Sequence, residues 1–136
     1  MTCTKNPNEI SISNRRRIDS ICKEFNEKFP YLRLGIFSGE ARQLVEKNKD
    51  IMPLDGTQTI AAVRREGTTG SISISGNKKV KNLEAEFDET FGLFCQVCYT
   101  DADGDRYYTG RSNDEKTLAA LNEECEKNGC MKGEWK

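Results

Sequence analysis

The residues able to do chemistry in this 136-residue chain are dominated by six cysteines, with no histidine. Cys95-Gln-Val-Cys98 and Cys125-Glu-Lys-Asn-Gly-Cys130 could together offer four thiolates to one Zn²⁺, whose structural sites are tetrahedral and sulfur-rich. The first pair, however, lies on a stretch that reads as a strand, where residues three apart point to opposite faces. No glycine follows Cys98 to turn the chain so that two sulfurs converge. Cys98 therefore reads as a small apolar core residue, and neither a metal nor a cofactor is expected.

Asp101-Ala-Asp103-Gly-Asp105 repeats carboxylates at alternate positions as a calcium loop does. An EF-hand needs Gly at its sixth position and Glu at its twelfth, and here those are Arg106 and Ser112, so the stretch reads as a solvated hairpin tip. Without histidine, no side chain titrates near neutrality unless its pKa is perturbed. A serine elbow, a phosphate-cradling glycine loop and a paired-carboxylate motif are all missing. A thiol nucleophile would need activation by Lys or Arg, and only the lysines near Cys22 and Cys125 offer it. The expectation is a protein that is not an enzyme.

Two basic runs are the remaining candidates: Arg15, Arg16 and Arg17, and Lys78, Lys79 and Lys81. Each sits where a long helix should begin. Cations there oppose the helix macrodipole and gain nothing locally, which leaves room for a role in gripping phosphates or an acidic partner.

The elements that position these residues come from an internal repeat. Ile10-Ser11-Ile12-Ser13 recurs as Ile72-Ser73-Ile74-Ser75, and at this shift of 62 Glu24, Phe25, Glu27 and Phe29 match Glu86, Phe87, Glu89 and Phe91. Farther on, Thr59-Ile60-Ala61-Ala62-Val63 matches Thr117-Leu118-Ala119-Ala120-Leu121 at a shift of 58. Two blocks in the same order divide the chain into a first repeat, 1–68, and a second, 69–136, expected to pack together as one body. The repeated units themselves span about 9–68 and 71–136.

Each unit opens with alternating Ser and Ile, the period of a strand buried on one face. Apolar residues spaced at three and four follow, giving an amphipathic helix stopped by Pro30 or Gly92. A second strand covers Tyr31–Phe37 or Leu93–Thr100. In the second unit Asp103-Gly104 predicts a hairpin with Asp101 facing Arg106 and Thr100 facing Tyr107, and Ser38-Gly39-Glu40 should turn the first unit in the same way. A short helix closes each unit, capped by Asp55 with Gln58 or by Ser112 with Glu115. Gly129 to Lys136 reads as the end of a last strand.

This order predicts an α+β fold, a tandem duplication of a β-α-β-β-(short helix) unit. It resembles the β-grasp of ubiquitin-like domains along Ile36-Phe37-Ser38-Gly39 with Leu54 to Ile60, and along Tyr108-Thr109-Gly110-Arg111 with Asp114 to Leu118. A leading strand is available only in the first unit, at Thr2-Cys3-Thr4, and the chain ends Glu134-Trp135-Lys136 without the diglycine that conjugation needs. The whole chain also resembles small, uncharacterised bacterial two-repeat proteins, which likewise pair an alternating Ile strand with a basic-Val-x-x-Leu helix and a Thr-Leu-Ala turn. No activity is implied by that resemblance.

A unit of ~60 residues buries only about 60% of its extended surface, so the halves must pack on each other or on a partner. Residues 1–68 hold 12 Lys/Arg against 9 Asp/Glu, and residues 69–136 hold 9 against 13, which suits contact between opposite charges better than uniform nucleic-acid binding. No apolar run approaches the ~20 residues of a membrane span, and residues 1–7 lack the apolar core of a signal peptide, so a cytoplasmic protein with no membrane contact is expected. The functional expectation is a non-enzymatic protein-interaction module of accessory, inhibitor or immunity type. It would bind another protein, or itself, through the basic helix entries and through Ser73 and Ser75 on a sheet edge. Nucleic-acid association through the six basic residues is the alternative.

Overall fold

The computed structural model describes residues 9–47, 49–109 and 115–132. Strand β1 (Ile10–Ile12) leads into helix α1 (Ile18–Lys28), then β2 (Arg33–Phe37) and a short helix α2 (Ala41–Glu46). After α3 (Ile60–Val63) the pattern recurs as β3 (Ile72–Ile74) and α4 (Val80–Glu86), which a π-helical turn continues over Phe87–Phe91. Strands β4 (Phe94–Thr100) and β5 (Arg106–Tyr108) and helix α5 (Leu118–Lys127) complete the described chain. The α+β class expected from the pattern is what forms. Among the described residues no helix is long and apolar enough to cross a membrane.

Pairing between the halves governs everything else. β1 runs antiparallel to β3 with Ile10 opposite Ile74, Ser11 opposite Ser73 and Ile12 opposite Ile72. Ser11 and Ser73 are counterparts at the 62-residue shift, so a local twofold axis passes between them. In the second sheet, of order β2-β4-β5, Arg33 lies opposite Cys98 and Ile36 opposite Cys95. The counterpart of Arg33 is Cys95 and that of Ile36 is Cys98, so this register obeys the same twofold relation.

The β-grasp arrangement expected inside each unit is therefore corrected: β1 and β2 of one unit do not pair, and each pairs with its counterpart in the other half. The reason is burial. Each of these strands turns an apolar face to the main core, and the antiparallel partner that continues that face is its own repeat. Ile10, Ile12, Ile72 and Ile74 are buried while Ser11 and Ser73 are exposed, and Leu34, Ile36, Cys95 and Val97 form the inner face of the larger sheet. Onto these faces pack Ile18, Ile21 and Phe25 of α1 with Val80 and Leu83 of α4 and Phe87 and Phe91 of the π-helical turn, in one core drawn from both halves. The ring pairs match as well, Phe25 to Phe29 at 5.1 Å and Phe87 to Phe91 at 5.5 Å between centroids.

Four local expectations are also corrected. Thr59 and Thr117 cap α3 and α5, accepting from Ala62 N at 3.3 Å and Ala120 N at 3.1 Å. Asp55 instead accepts from Thr57 N at 2.9 Å within the preceding turn, and Ser112 lies outside the described residues. Ser38-Gly39-Glu40 leads into α2 rather than a return strand. The second hairpin is one residue out of the expected register, with Thr100 opposite Arg106 and Tyr99 opposite Tyr107. Asp101 N donates to Asp105 O at 2.8 Å, which leaves three residues at the tip rather than two; the Asp101 carboxylate takes the amides of both Asp103 and Asp105 at 2.9 Å, and Gly104 sits at φ 89°. Gly129 belongs to the end of α5 and not to a strand; residues 2–4 and 133–136, for which strand character was expected, lie outside the described residues.

Cross-pairing has a direct consequence for the separated halves. Polypeptides 1–68 and 69–136 alone should each lack monomeric folded structure, because both sheets lose a partner strand, and mixing them should restore it. Circular dichroism with sedimentation checks this, and a cooperative melt from monomeric 1–68 would contradict it.

Candidate functional site

The six basic residues singled out above are placed at the two helix entries, and five of them are tied to carboxylates. Arg16 donates to the Ser11 carbonyl at 2.7 Å and to Glu24 at 2.6 Å; its counterpart Lys78 donates to the Ser73 carbonyl at 2.5 Å and to Glu86 at 2.6 Å. Each thus clamps the middle of an outer strand to the helix that follows it. Their side chains are only 21% and 15% exposed. Arg17 pairs with Asp19 at 2.6 Å, and Lys79 and Lys81 reach Glu115 at 3.6 and 2.8 Å. These two lysines, with Lys81 first, hold the Glu115 carboxyl below the usual range. Arg15 is exposed, beside a shallow cleft lined by Asn14, Arg64 and Thr68.

The helix entries are built alike in backbone terms. Ile18 N donates to Gln58 O at 2.9 Å and Val80 N to Lys116 O at 3.0 Å, while Ile60 N and Leu118 N donate to Arg16 O and Lys78 O at 2.9 Å. The basic residues therefore stand at the joint between each long helix and the short one that closes its unit, which is why their spacing repeats. Ser73 faces Ser11 in the two-stranded ribbon, and Lys78 occupies its carbonyl, so strand addition there would meet a bound cation. Ser75 O accepts from Lys78 N at 3.2 Å within the turn that follows β3.

A second region was not found from the sequence. The outer face of the larger sheet carries Arg33, Gly35 and Phe37 of β2, Phe94, Gln96 and Cys98 of β4, and Arg106 and Tyr108 of β5. One end is covered by α2 and the segment after it, where Ala41, Val45 and Ile51 pack on Phe37 and Phe94. Leu54 N bonds to Ile36 O at 2.9 Å, holding that segment against the edge of β2. On the two sides of Pro53 lie half-open chambers of about 290 and 600 Å³ that share Phe37, Pro53, Arg106 and Tyr108 as walls. Cys22, Arg33 and Cys98 line the smaller one, and Val45, Ile51 and Gln96 line the larger.

All three residues of β5 are exposed, and among the described residues β4 is the only strand that pairs with it. Tyr107 stacks on Tyr99 at 5.6 Å on one side, and Tyr108, 50% exposed, stands on the groove side. The Asp101 carboxylate accepts from the Tyr107 hydroxyl, which pushes that phenol upward. The signal in the sequence that could have found this groove is the change of shift from 62 to 58. It marks unequal segments between the second strand and the closing helix, and Val45, Ile51 and Pro53 of one and Arg106 and Tyr108 of the other line this one face.

Cys95 and Cys98 do not converge on a common point. Cys95 points inward and approaches the Leu83 carbonyl at 4.0 Å, whereas Cys98 is on the opposite, groove side of β4. Among the described residues, no three His, Cys, Asp or Glu side chains lie close enough together to hold a metal. Burial pushes the Cys22 and Cys98 thiols to about 11, against the pull of Arg33 and, for Cys98, first of Arg106. At neutral pH both stay protonated and weakly nucleophilic. Comparison with protein-family models, curated proteins and solved structures finds no match.

Two measurements follow from this geometry. Replacing Arg16 or Lys78 by Met should cost about 1–2 kcal/mol in urea denaturation, because each loses charge-assisted bonds to a strand carbonyl and a helix carboxylate, whereas Arg15→Met should cost under about 0.5 kcal/mol. A shift of Cys22 and Cys98 from 9 to about 11 leaves roughly 100-fold less thiolate in the folded protein, so alkylation at pH 8 should be slower than in denaturant by at least that factor.

Proposed function

We propose that this chain is a non-enzymatic protein-interaction module whose docking surface is the groove beside β5. The observation that carries the reading is where the repeats differ. Their shared parts build the core, and Val45, Ile51 and Pro53 from one of the two unequal segments meet Arg106 and Tyr108 from the other on one face of one sheet. An open groove with an aromatic outer strand suits an extended segment of another protein, which gains main-chain bonds by adding to β5 and specificity from the chambers. The lack of histidine and the protonated state of the buried thiols support a non-enzymatic role. Accessory, inhibitor and immunity-type proteins all act by such docking, and a cytoplasmic setting accords with free thiols.

Relative to the expectation from sequence alone, the docking surface moves away from the helix entries and from Ser73 and Ser75. Arg16, Arg17, Lys78, Lys79 and Lys81 are engaged with carboxylates of their own chain, which lowers the field available to a phosphate backbone.

Photo-crosslinking in the native host tests the reading. A benzophenone side chain at position 108 should yield a discrete protein adduct that survives nuclease and high salt, and Arg106→Glu should reduce it at least 10-fold. The same probe at position 11, on the other sheet, should yield none. Nuclease-sensitive adducts from a probe at position 15 or 81 would instead favour the nucleic-acid alternative and overturn the proposal.

A further inference from the structure

We propose that Cys125 and Cys130 form a modification site, a dithiol that a peroxide oxidises to an intramolecular disulfide and a thiol reductant restores. The two residues occupy the third-last position of α5 and the second position beyond its cap. Cys130 N donates to Cys125 O at 3.0 Å, Gly129 N to Glu126 O at 3.2 Å, and Gly129 takes φ 77°. These are the two crossed bonds and the left-handed residue of a Schellman cap, in which the side chains at these two positions meet. Where two hydrocarbon side chains would suffice for that contact, this chain places two sulfurs, only 3% and 9% exposed. A disulfide needs Cα atoms within roughly 4.4–6.8 Å, and a direct backbone bond between the two residues holds them near each other.

The chemistry balances with hydrogen peroxide as oxidant. Cys130, the more exposed, attacks one peroxide oxygen as thiolate; the O–O bond breaks, and the departing hydroxide takes a proton to leave as water. The sulfur of Cys125 then attacks the resulting sulfenic sulfur. The S–O bond breaks, and the second hydroxide leaves as water with the Cys125 proton. Two thiols and one peroxide thus become one disulfide and two waters, the protein losing two electrons and two protons. Burial first, and then the neighbouring Cys130, push the Cys125 thiol to about 12, which suits it to the second step rather than the first.

Closure would reach beyond the cap. Met131 N donates to Thr100 O at 2.8 Å, and Thr100 lies opposite Arg106, so the covalent ring would fix the end of α5 against the root of the β4–β5 hairpin.

The test is made on the full, reduced chain with hydrogen peroxide at neutral pH, at a dose that converts the 84%-exposed Met52 to its sulfoxide. Trypsin separates Cys125 from Cys130 at Lys127. The expected result is a cross-linked peptide pair, Thr117–Lys127 with Asn128–Lys132, two hydrogens lighter than its parts and released by dithiothreitol. Cys125→Ser should lose that product and gain oxygen on Cys130, and circular dichroism verifies its fold. Oxidised Met52 with both thiols still free, or cross-links only among other cysteines, would overturn the proposal even if the variant fails to fold, because the native chain supplies that result by itself.

Discussion

The structure depends on one constraint: each repeat presents strands whose apolar faces can be continued only by the same strand of the other repeat. With Ser11 opposite Ser73 and the registers of β2 and β4 related by the same axis, neither unit holds a complete sheet of its own parts. A single unit of this size cannot bury enough surface to offset its chain entropy. Pairing across the axis doubles the core without adding a new kind of element. It also explains why Phe25, Phe29, Phe87 and Phe91 can all be buried in a chain of modest hydrophobic content.

Polar contacts secure that frame at equivalent places. Arg64 follows α3 and donates to Asn14 at 2.6 Å, Thr68 at 3.0 Å and the Thr90 carbonyl at 2.9 Å, while its guanidinium lies 4.9 Å from the Phe91 ring centre. One side chain thereby joins the first half, the connector and the end of the α4 helix. At the matching place after the start of α5, Asn122 accepts from Tyr31 N at 2.9 Å, reaching the other half in the opposite sense. Each closing helix thus fastens the far end of its partner's long helix. The chemistry at the two places differs while the mechanical role is the same, so a reading that searches for matched residues passes over both.

Much of the frame was legible because burial writes a period into the sequence. The alternation in Ile10 to Ser13, the three-and-four spacing from Ile18 to Phe29 and the recurrence of both placed two strands and two helices correctly. Pairing partners were not legible, since a strand's pattern states which face is buried and not which neighbour continues it. The hairpin register slipped because the Asp101 carboxylate, a local side-chain contact, outweighed the two-residue turn that Asp-Gly favours. The carboxylate partners of the basic runs were not legible for a related reason. Glu24 and Glu86 lie eight residues beyond Arg16 and Lys78, too far for a helix-periodicity argument, and only the fold of the preceding turn brings them together.

The same constraint decides where the two halves were free to diverge. Inner-face residues must fit both their own repeat and its counterpart, whereas segments crossing the outer face of the larger sheet need fit only the sheet beneath them. In a symmetric pair of single units, the axis through β2 and β4 would bring two copies of one segment together, and the groove between them would read the same in both directions. Covalent joining removes that symmetry. Here Val45 of α2 and Ile51 of the segment after it stand at one side, and an exposed strand with Arg106 and Tyr108 stands at the other. On the docking function proposed above, such a groove gives an extended occupant a single direction, because its main chain can add only along β5 and its apolar side chains can enter only beside α2. Directional recognition is then a property the joined repeats have and a dimer of either one would lack.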